Sequence, residues 1–154
     1  MGRSFRDNAS FGKRMEYQII SEMLMAGLDC YVPLVDDHGV DVVIKKQDGT
    51  FIEVQIKASG ENVKVGDAAR FSAIKHEEQP NYYFIFKSER MKQMWIMSSA
   101  DFIANTTPNQ SGKHAGERSI CLNGCRTIKA TGEKEEYCLP QFEKFLAKDY
   151  SIFK

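Results

Sequence analysis

Excess charge, long apolar runs and internal repeats are all missing from this sequence. Its 21 Lys and Arg residues are balanced by 21 Asp and Glu residues, so the chain as a whole lacks the basic character typical of a DNA-binding domain. No apolar run is long enough to cross a bilayer, and the N-terminus lacks the basic and then apolar pattern of a signal peptide. We therefore expect a cytoplasmic protein with no role in a membrane.

Cysteine is sparse as well. The chain has four cysteines, Cys30, Cys121, Cys125 and Cys138, and no Cys-x-x-Cys pair. Cytoplasmic thiols stay reduced, and the short spacing of a zinc knuckle is missing, although His114 and the last three cysteines could in principle hold zinc. We expect reduced, structural cysteines rather than disulfides or a zinc site.

The composition is that of one globular domain. The 154 residues are 42% hydrophobic and 27% charged, which is enough for one core and too little for two ordinary domains. We expect a single domain over residues 1–154, with its core at about residues 10–100 and a C-terminal extension at about residues 101–154.

The most informative segment is residues 39–57, GVDVVIKKQDGTFIEVQIK, with two apolar runs around an Asp-Gly turn. In the second run apolar residues alternate with Glu53, Gln55 and Lys57. Because a strand sends successive side chains to opposite faces, these three polar groups share one face. Asp41 alternates with the apolar residues of the first run in the same way. The sequence predicts a hairpin with its polar groups on one side.

The length of the hairpin loop decides which residues face each other. A loop of residues 48–49 would pair Asp41 with Ile56 and would mix the apolar and polar faces. A loop of residues 47–49, with its glycine in the left-handed conformation, pairs Asp41 with Gln55 and puts both apolar sets on one side. Since a slip of one residue would turn every side chain to the other face, burial favours the longer loop.

Residues 10–28 have the periodicity of an amphipathic helix, with Ser10 as the expected N-cap and Gly27 as the C-terminal signal. Glu16 borders the apolar stripe, where a carboxylate is costly unless it is paired, hydrogen-bonded or bound to a metal. The simpler explanation of this position is that the Glu16 side chain extends from the edge of the stripe into water. The other explanation is that Glu16 is a functional acid. The stripe itself consists of Phe11, Met15, Ile19, Ile20, Met23 and Leu24.

Two interpretations of the polar hairpin face remain open from spacing alone. A half-exposed sheet simply turns its charged residues to water. An oxygen pair across two strands, Asp41 and Gln55, with the amine of Lys57 two residues further on, also suits a hydrolase that uses a divalent metal. Hard cations take oxygen ligands, and an ammonium group beside them can orient water or offset charge that grows on a phosphate.

The order of these pieces resembles the PD-(D/E)XK nuclease superfamily, in particular its branches related to archaeal Holliday-junction resolvases and to a cyanobacterial intron-encoded homing endonuclease. The similar pieces are GKRME on the helix, HGVDVVI on one strand and IEVQIK on the next. The helix acid, the strand acid and the acid-x-Lys pair of that family fall on Glu16, Asp41, Gln55 and Lys57, with glutamine where a carboxylate is usual. Glu53, on the same strand face, is an alternative for the missing acid.

This resemblance implies an α/β fold with a mixed central β-sheet of about five strands flanked by helices, that is, a restriction-endonuclease-like core. It also implies a Mg²⁺-dependent DNA endonuclease, with Mn²⁺ as a substitute metal. Asp41, the Gln55 side-chain oxygen and the Ile56 carbonyl would bind the metal, and Glu16 would hold a metal-bound water or a second ion. Lys57 would position the attacking water and stabilise the charge on the phosphate.

Beyond the hairpin, the segments at residues 81–87 and 91–99 predict two further strands joined by a hairpin. Residues 62–75 look like a loop followed by a short helix, and residues 140–148 like a C-terminal helix with proline at its start. A strand is expected at residues 118–123, and a short helix capped by Ser98 or Ser99 around residues 101–104.

Clusters of basic residues are better evidence for DNA binding than the net charge is, because phosphate contacts are local. The candidate DNA-binding residues are Lys13, Arg14, Lys64 and Arg70, although a solvated charged face is the simpler explanation of each group. Because cutting both strands of a duplex requires two sites, we expect a homodimer. The alternative function is an inactive nuclease-fold module that binds nucleic acid or a protein partner in a defence or mobile-element system.

Aromatic and histidine residues have simpler explanations than a role in the reaction. Tyr82, Tyr83 and Trp95 are expected in the core or on a strand face rather than as base-stacking platforms. His38 and His76 are candidate general bases by position only, and a loop histidine is seldom one.

Overall fold

The computed structural model describes residues 5–35 and 39–154, with the backbone alone for residues 5 and 6. The elements follow one another as α1 (Phe5–Met25), β1 (Asp29–Tyr31), β2 (Val42–Lys45), β3 (Phe51–Ser59), β4 (Arg70–Ile74), β5 (Tyr82–Ser88), β6 (Gln93–Ser98), α2 (Ser99–Ala104), β7 (Arg118–Cys121), β8 (Asn123–Thr127) and β9 (Lys134–Cys138), and then two 3₁₀ helices at Pro140–Phe145 and Ser151–Phe153.

A five-stranded mixed sheet forms the centre of the fold, in the order β1-β2-β3-β5-β6. Neighbouring strands are antiparallel except β3 and β5, which run parallel. A parallel pair needs a long crossover, and here the crossover contains β4, which pairs with β7 in a separate two-stranded sheet. The predicted α/β class with a mixed sheet of five strands is confirmed.

The hairpin of β2 and β3 has the predicted register. Val42 pairs with Val54 and Lys45 with Phe51. The N–H of Lys46 donates to the Thr50 carbonyl over 2.8 Å, and Gly49 has a φ of 87°. The three-residue loop with a left-handed glycine is therefore confirmed, and burial explains why it prevails over the shorter Asp-Gly turn.

Helix α1 covers one face of the central sheet. Its residues Ile19, Ile20 and Met23 pack with Val42 and Val54 in one buried cluster, so the helix lies on the apolar face of the hairpin. The 21-residue helix begins at Phe5, so Ser10 lies within it and the predicted N-cap is wrong.

The C-terminus of α1 is formed as expected, with Gly27 at a φ of 86°. The N–H of Leu28 closes the last turn on the Met23 carbonyl over 3.1 Å, a typical glycine-assisted helix end. Leu24, predicted in the apolar stripe, is instead 55% exposed because its position lies off the face that meets the sheet.

A second buried cluster covers the other face of β5 and β6. It includes Phe84, Phe86 and Trp95 of the central sheet, and Phe71 and Ile120 from the β4–β7 pair. Residues 62–75 were predicted as a loop and a short helix, and this prediction is wrong from Arg70 onwards. The segment Arg70–Ile74 is a strand because it finds a partner in β7, far along the chain.

The end of the chain also differs from its prediction. The helix predicted at residues 140–148 begins at Pro140 as expected, but it is a 3₁₀ helix that ends at Phe145. Phe142 and Phe145 of this helix pack into the second buried cluster, whereas Tyr150 and Phe153 pack into the first. Among the described residues, no helix combines the length and the apolar character needed to cross a membrane.

Candidate active site

Asp41 lies where β2 separates from β3, and it contacts both neighbours of Gln55. Its N–H donates to the Val54 carbonyl over 2.9 Å, and its carboxylate Oδ2 accepts from the Ile56 N–H over 2.7 Å. Val54 is already the partner of Val42, so two residues of one chain segment lie against one of β3, as in a β-bulge. The bulge holds the Asp41 carboxylate against the backbone of Ile56, the residue that follows Gln55.

The Gln55 amide is enclosed by Tyr82 and Gly39. The Tyr82 hydroxyl lies 3.1 Å from Gln55 Oε1 and 2.7 Å from the Gly39 carbonyl oxygen. Gly39 has a φ of 68°, and a Cβ at this position would lie 3.3 Å from Gln55 Nε2. Glycine therefore fits this position for two reasons: it adopts the left-handed backbone conformation without strain, and it leaves room for the Gln55 amide.

Lys57 lies on the same strand face as Gln55, two residues along β3. Its side chain is half-buried, and Lys57 pairs in register with Phe86, whose ring lies 4.9 Å from that of Phe71 on β4. Within residues 5–35 and 39–154, no side-chain hydrogen bond or ion pair engages the Lys57 amine. Its amine is therefore available to a ligand.

Ile56 contributes its backbone rather than its buried side chain. The N–H of Ile56 points to Asp41, and the N–H and C=O of one strand residue point to the same edge. The Ile56 carbonyl consequently points to the side on which Asp41 lies.

The other two candidate acids, Glu53 and Glu16, have different surroundings. Glu53 is exposed and pairs with Val43 in the β2–β3 ladder. The Glu16 side chain is 20% exposed and forms an ion pair of 3.1 Å with Lys13, which lies one turn earlier in α1. This pairing within the helix accounts for a carboxylate at the edge of the apolar stripe.

The oxygen atoms around Gln55 are of the kind that binds a hard divalent cation. A carboxylate, an amide oxygen and a backbone carbonyl are all oxygen ligands of the type that Mg²⁺ takes. In the part of the chain that the structure describes, no group of three or more His, Cys, Asp or Glu side chains could hold a metal ion. A metal held by Asp41, the Gln55 side chain and the Ile56 carbonyl would have one carboxylate and two neutral oxygens among its protein ligands.

The cysteines do not form an alternative centre among the described residues. All four are free thiols. Trp95 Nε1 donates to Cys138 Sγ over 3.3 Å, and burial raises the pKa of Cys138 above its usual value, with the Trp95 hydrogen bond opposing the rise.

Two further side chains border the site: His76, which the sequence offered as a candidate general base by position only, and Tyr82, which was expected in the core or on a strand face. The ring centroids of His76 and Tyr82 are 4.6 Å apart, and His76 Nε2 lies 2.6 Å from the Ser99 hydroxyl. Burial lowers the pKa of His76, and the charge of Arg118 lowers it further. The alternating pattern of NYYFIFK places Tyr82 on one face of β5, but it gives no signal that the hydroxyl reaches β3. His38 lies outside the described residues.

Three of the candidate DNA-binding residues have neighbours that explain their positions. Lys13 pairs with Glu16 over 3.1 Å, and Arg70 pairs with Asp67 over 2.9 Å. The Arg14 guanidinium lies 5.9 Å from the centre of the Phe11 ring. All of these basic side chains, and Lys64, are exposed.

The loop that carries Lys64 is tied down by Arg90 and Glu136. Arg90 donates to the carbonyls of Glu61, Val63 and Lys64, and it forms an ion pair of 2.8 Å with Glu136. Burial raises the pKa of Glu136, but the hydrogen bonds from Arg90 and the loop N–H groups outweigh it and leave this pKa below its usual value.

None of the family models matches this chain, and none of the curated proteins does. Among solved structures, the fold is similar to that of a bacterial homing endonuclease, I-Ssp6803I, with 18% sequence identity and a TM-score of 0.48 over 78% of this chain and 75% of that chain. This similarity is too weak to assign a function.

Proposed function

We propose that the protein is a metal-dependent endonuclease that hydrolyses phosphodiester bonds in DNA. The observation that carries the proposal is the hydrogen bond from the Ile56 N–H to Asp41 Oδ2, which fixes a carboxylate beside the Gln55-x-Lys57 segment. In an unbroken ladder this N–H would instead bond to the Val40 carbonyl. The arrangement of acid, amide and amine supports chemistry on a phosphate rather than simple solvation.

The metal in this proposal is Mg²⁺, with Mn²⁺ as a substitute. Asp41, the Gln55 side-chain oxygen and the Ile56 carbonyl would hold it, and Glu16 would serve a bound water or a second ion. A bound divalent ion supplies Lewis-acid stabilisation of the phosphate and lowers the pKa of water. Glutamine in place of a carboxylate removes one negative charge, so we expect weak affinity for the metal.

Lys57 would act directly on the reacting groups. Its half-buried position strengthens the field of its ammonium group, because water screens it less than at an open surface. The amine would orient the attacking water and offset the negative charge that grows on the phosphate oxygens. The Asp41 hydrogen bond to β3 keeps the carboxylate in place relative to this amine.

DNA binding would involve Lys13, Arg14, Lys64 and Arg70, whose charges are exposed at the surface. A homodimer would bring two sites to the two strands of a duplex. Both points are parts of the proposal that follow from the need to hold a polyanion and to cut it twice.

The test is incubation of branched, duplex and single-stranded DNA with Mg²⁺ or Mn²⁺. We expect cleavage of at least one substrate by the wild-type protein, and a loss of about 100-fold or more in Lys57→Ala, the scale typical of removing one electrostatic stabiliser of a transition state. Asp41→Ala should lose activity as well.

Lys45→Ala is the matched control, because Lys45 is an exposed lysine of the same hairpin and should be dispensable for cleavage. Cleavage that persists in both Lys57→Ala and Asp41→Ala would contradict the proposal and point to a contaminant or another site.

One observation favours a second function, a catalytically inactive module that binds nucleic acid or a protein partner. Within the described residues the hairpin contributes no cluster of three potential metal-binding side chains of the acidic, His or Cys type. If all substrates stay intact with either metal while DNA still binds, this second function replaces the first.

A further inference from the structure

The Tyr82 hydroxyl lies close to two oxygen atoms, neither of which carries a proton. Its hydroxyl oxygen lies 2.7 Å from the Gly39 carbonyl oxygen and 3.1 Å from the Gln55 side-chain oxygen. A tyrosine hydroxyl has one proton, and a backbone carbonyl can only accept. The hydroxyl can therefore donate a full hydrogen bond to only one of the two oxygens.

The amide of Gln55 resolves this conflict because it has a donor end and an acceptor end. The two ends are nearly identical in shape, and their assignment follows from the hydrogen bonds that they make. If Tyr82 donates over the shorter distance to Gly39, rotation of the amide by half a turn lets Nε2–H donate to the Tyr82 oxygen. Tyr82 then donates to Gly39 and accepts from Gln55 Nε2, and Oε1 is turned away from Tyr82.

The enclosure of this amide supports a fixed orientation. Tyr82 is 3% exposed, with the His76 ring packed at 4.6 Å from its own. A side chain on Gly39 would lie 3.3 Å from one end of the amide and 3.4 Å from the other. Because Gln55 is half-buried and its amide is in close contact with its neighbours, the orientation that gives Nε2 a hydrogen-bond acceptor is preferred.

We infer that Tyr82 is a positioning residue that accepts a hydrogen bond from Gln55 Nε2 and thereby presents Gln55 Oε1 to the metal. The inference rests on the proposed function and gives a reason why glutamine can replace an acid. A carboxylate has two equivalent oxygens and needs no such partner, whereas an amide must be oriented, since its NH₂ end cannot bind a cation.

A double-mutant cycle tests this role through Mn²⁺ binding, measured by titration calorimetry on the full chain without DNA. Tyr82→Phe keeps the ring and removes the hydroxyl. We expect it to weaken Mn²⁺ binding about tenfold, the lower end of the effect of losing a hydrogen-bond partner of a metal ligand. In the Gln55→Glu protein, the same Tyr82→Phe change should cause no loss.

The result separates positioning from a merely structural role. Equal losses in both backgrounds, or no loss in either, would overturn the inference while the proposed function stands. Failure of both the wild-type and the Gln55→Glu proteins to bind Mn²⁺ would overturn the proposed function and this inference with it. Thermal unfolding of each variant checks that all four proteins are folded.

A second measurement uses only proteins in which Tyr82 is unchanged. The side-chain NH₂ resonances of Gln55 in ¹⁵N-labelled wild-type protein can be assigned by their absence from Gln55→Glu. One of the two protons should be shifted downfield and protected from exchange by its hydrogen bond to Tyr82. Two protons with the shifts and exchange of a solvated amide would overturn the inference.

Discussion

The Asp41 carboxylate accepts a hydrogen bond of 2.7 Å from the N–H of Ile56, the residue between Gln55 and Lys57. Continuation of the regular ladder would give that N–H the carbonyl of Val40 instead. The side chain of Asp41 thus replaces a backbone acceptor at the point where the two strands separate. One residue serves the sheet and the candidate site together.

Replacement of Asp41 should therefore affect stability as well as activity. We expect Asp41→Ala to lower the free energy of unfolding by about 2 kcal/mol, because it removes a hydrogen bond to a charged acceptor and leaves the Ile56 N–H without one. Asp41→Asn keeps an acceptor oxygen and should lose less. Urea unfolding of the three proteins measures the difference.

The same pair of variants separates the two roles of Asp41 in cleavage. Both should be strongly impaired, since the amide of Asp41→Asn lacks the charge that a divalent metal requires. Cleavage by Asp41→Asn at the wild-type rate would show that this carboxylate is structural only.

Gly39→Ala should disturb the site through Gln55, and Gly49→Ala is its matched control. Both glycines have positive φ values, 68° and 87°, but a Cβ on Gly49 would have open space around it, whereas a Cβ on Gly39 would meet the Gln55 amide. Each change should cost about 1 kcal/mol of stability from backbone strain. Only Gly39→Ala should also weaken Mn²⁺ binding, as calorimetry can show. Equal Mn²⁺ affinities in the two variants would contradict the importance of this contact.

The depressed pKa of His76 predicts a loss of stability in acid. Its usual value is 6.5, and burial, followed by the charge of Arg118, lowers the pKa in the folded state. Below pH 6.5 the unfolded chain therefore takes up the proton first. The stabilisation is complete above that pH and is lost as the pH falls through the folded pKa.

His76→Gln should reduce this acid-induced loss, since glutamine can still hydrogen-bond to Ser99 and does not titrate. Urea unfolding at about pH 7.5 and about pH 5 would measure the loss. His114→Gln serves as the control at an exposed histidine and should retain the wild-type loss. If His76→Gln loses as much stability as the wild type, the titration of His76 does not govern the acid response.

The exposed basic residues can be tested through the salt dependence of DNA binding. Arg14→Gln and Lys64→Gln should each weaken binding and reduce the slope of log K against log salt by about 0.9 for each phosphate contact removed from duplex DNA. Lys129→Gln, in the turn that joins β8 and β9, should leave the slope unchanged. Identical slopes for all of these proteins would exclude Arg14 and Lys64 from the DNA-binding surface.

Much of the local structure could be predicted because its causes lie within short segments. The alternation in residues 39–57 requires the apolar residues of both strands to share a face, and that condition selects the register found in the structure. The hairpin of β5 and β6 and the end of α1 at Gly27 have equally local causes. The start of α1 could not be fixed in this way, because Ser10 fits a cap as well as an exposed position within a helix.

Local periodicity is enough to place Asp41, Gln55 and Lys57 in one hairpin, because a period of two residues and the burial of one face leave a single register. The tertiary structure decided what surrounds them. Parallel pairing of β3 with β5 brings the Tyr82 hydroxyl to Gln55, and pairing of β4 with β7 helps to build the layer beside Lys57. Such contacts join segments far apart in the chain, and no local periodicity encodes them.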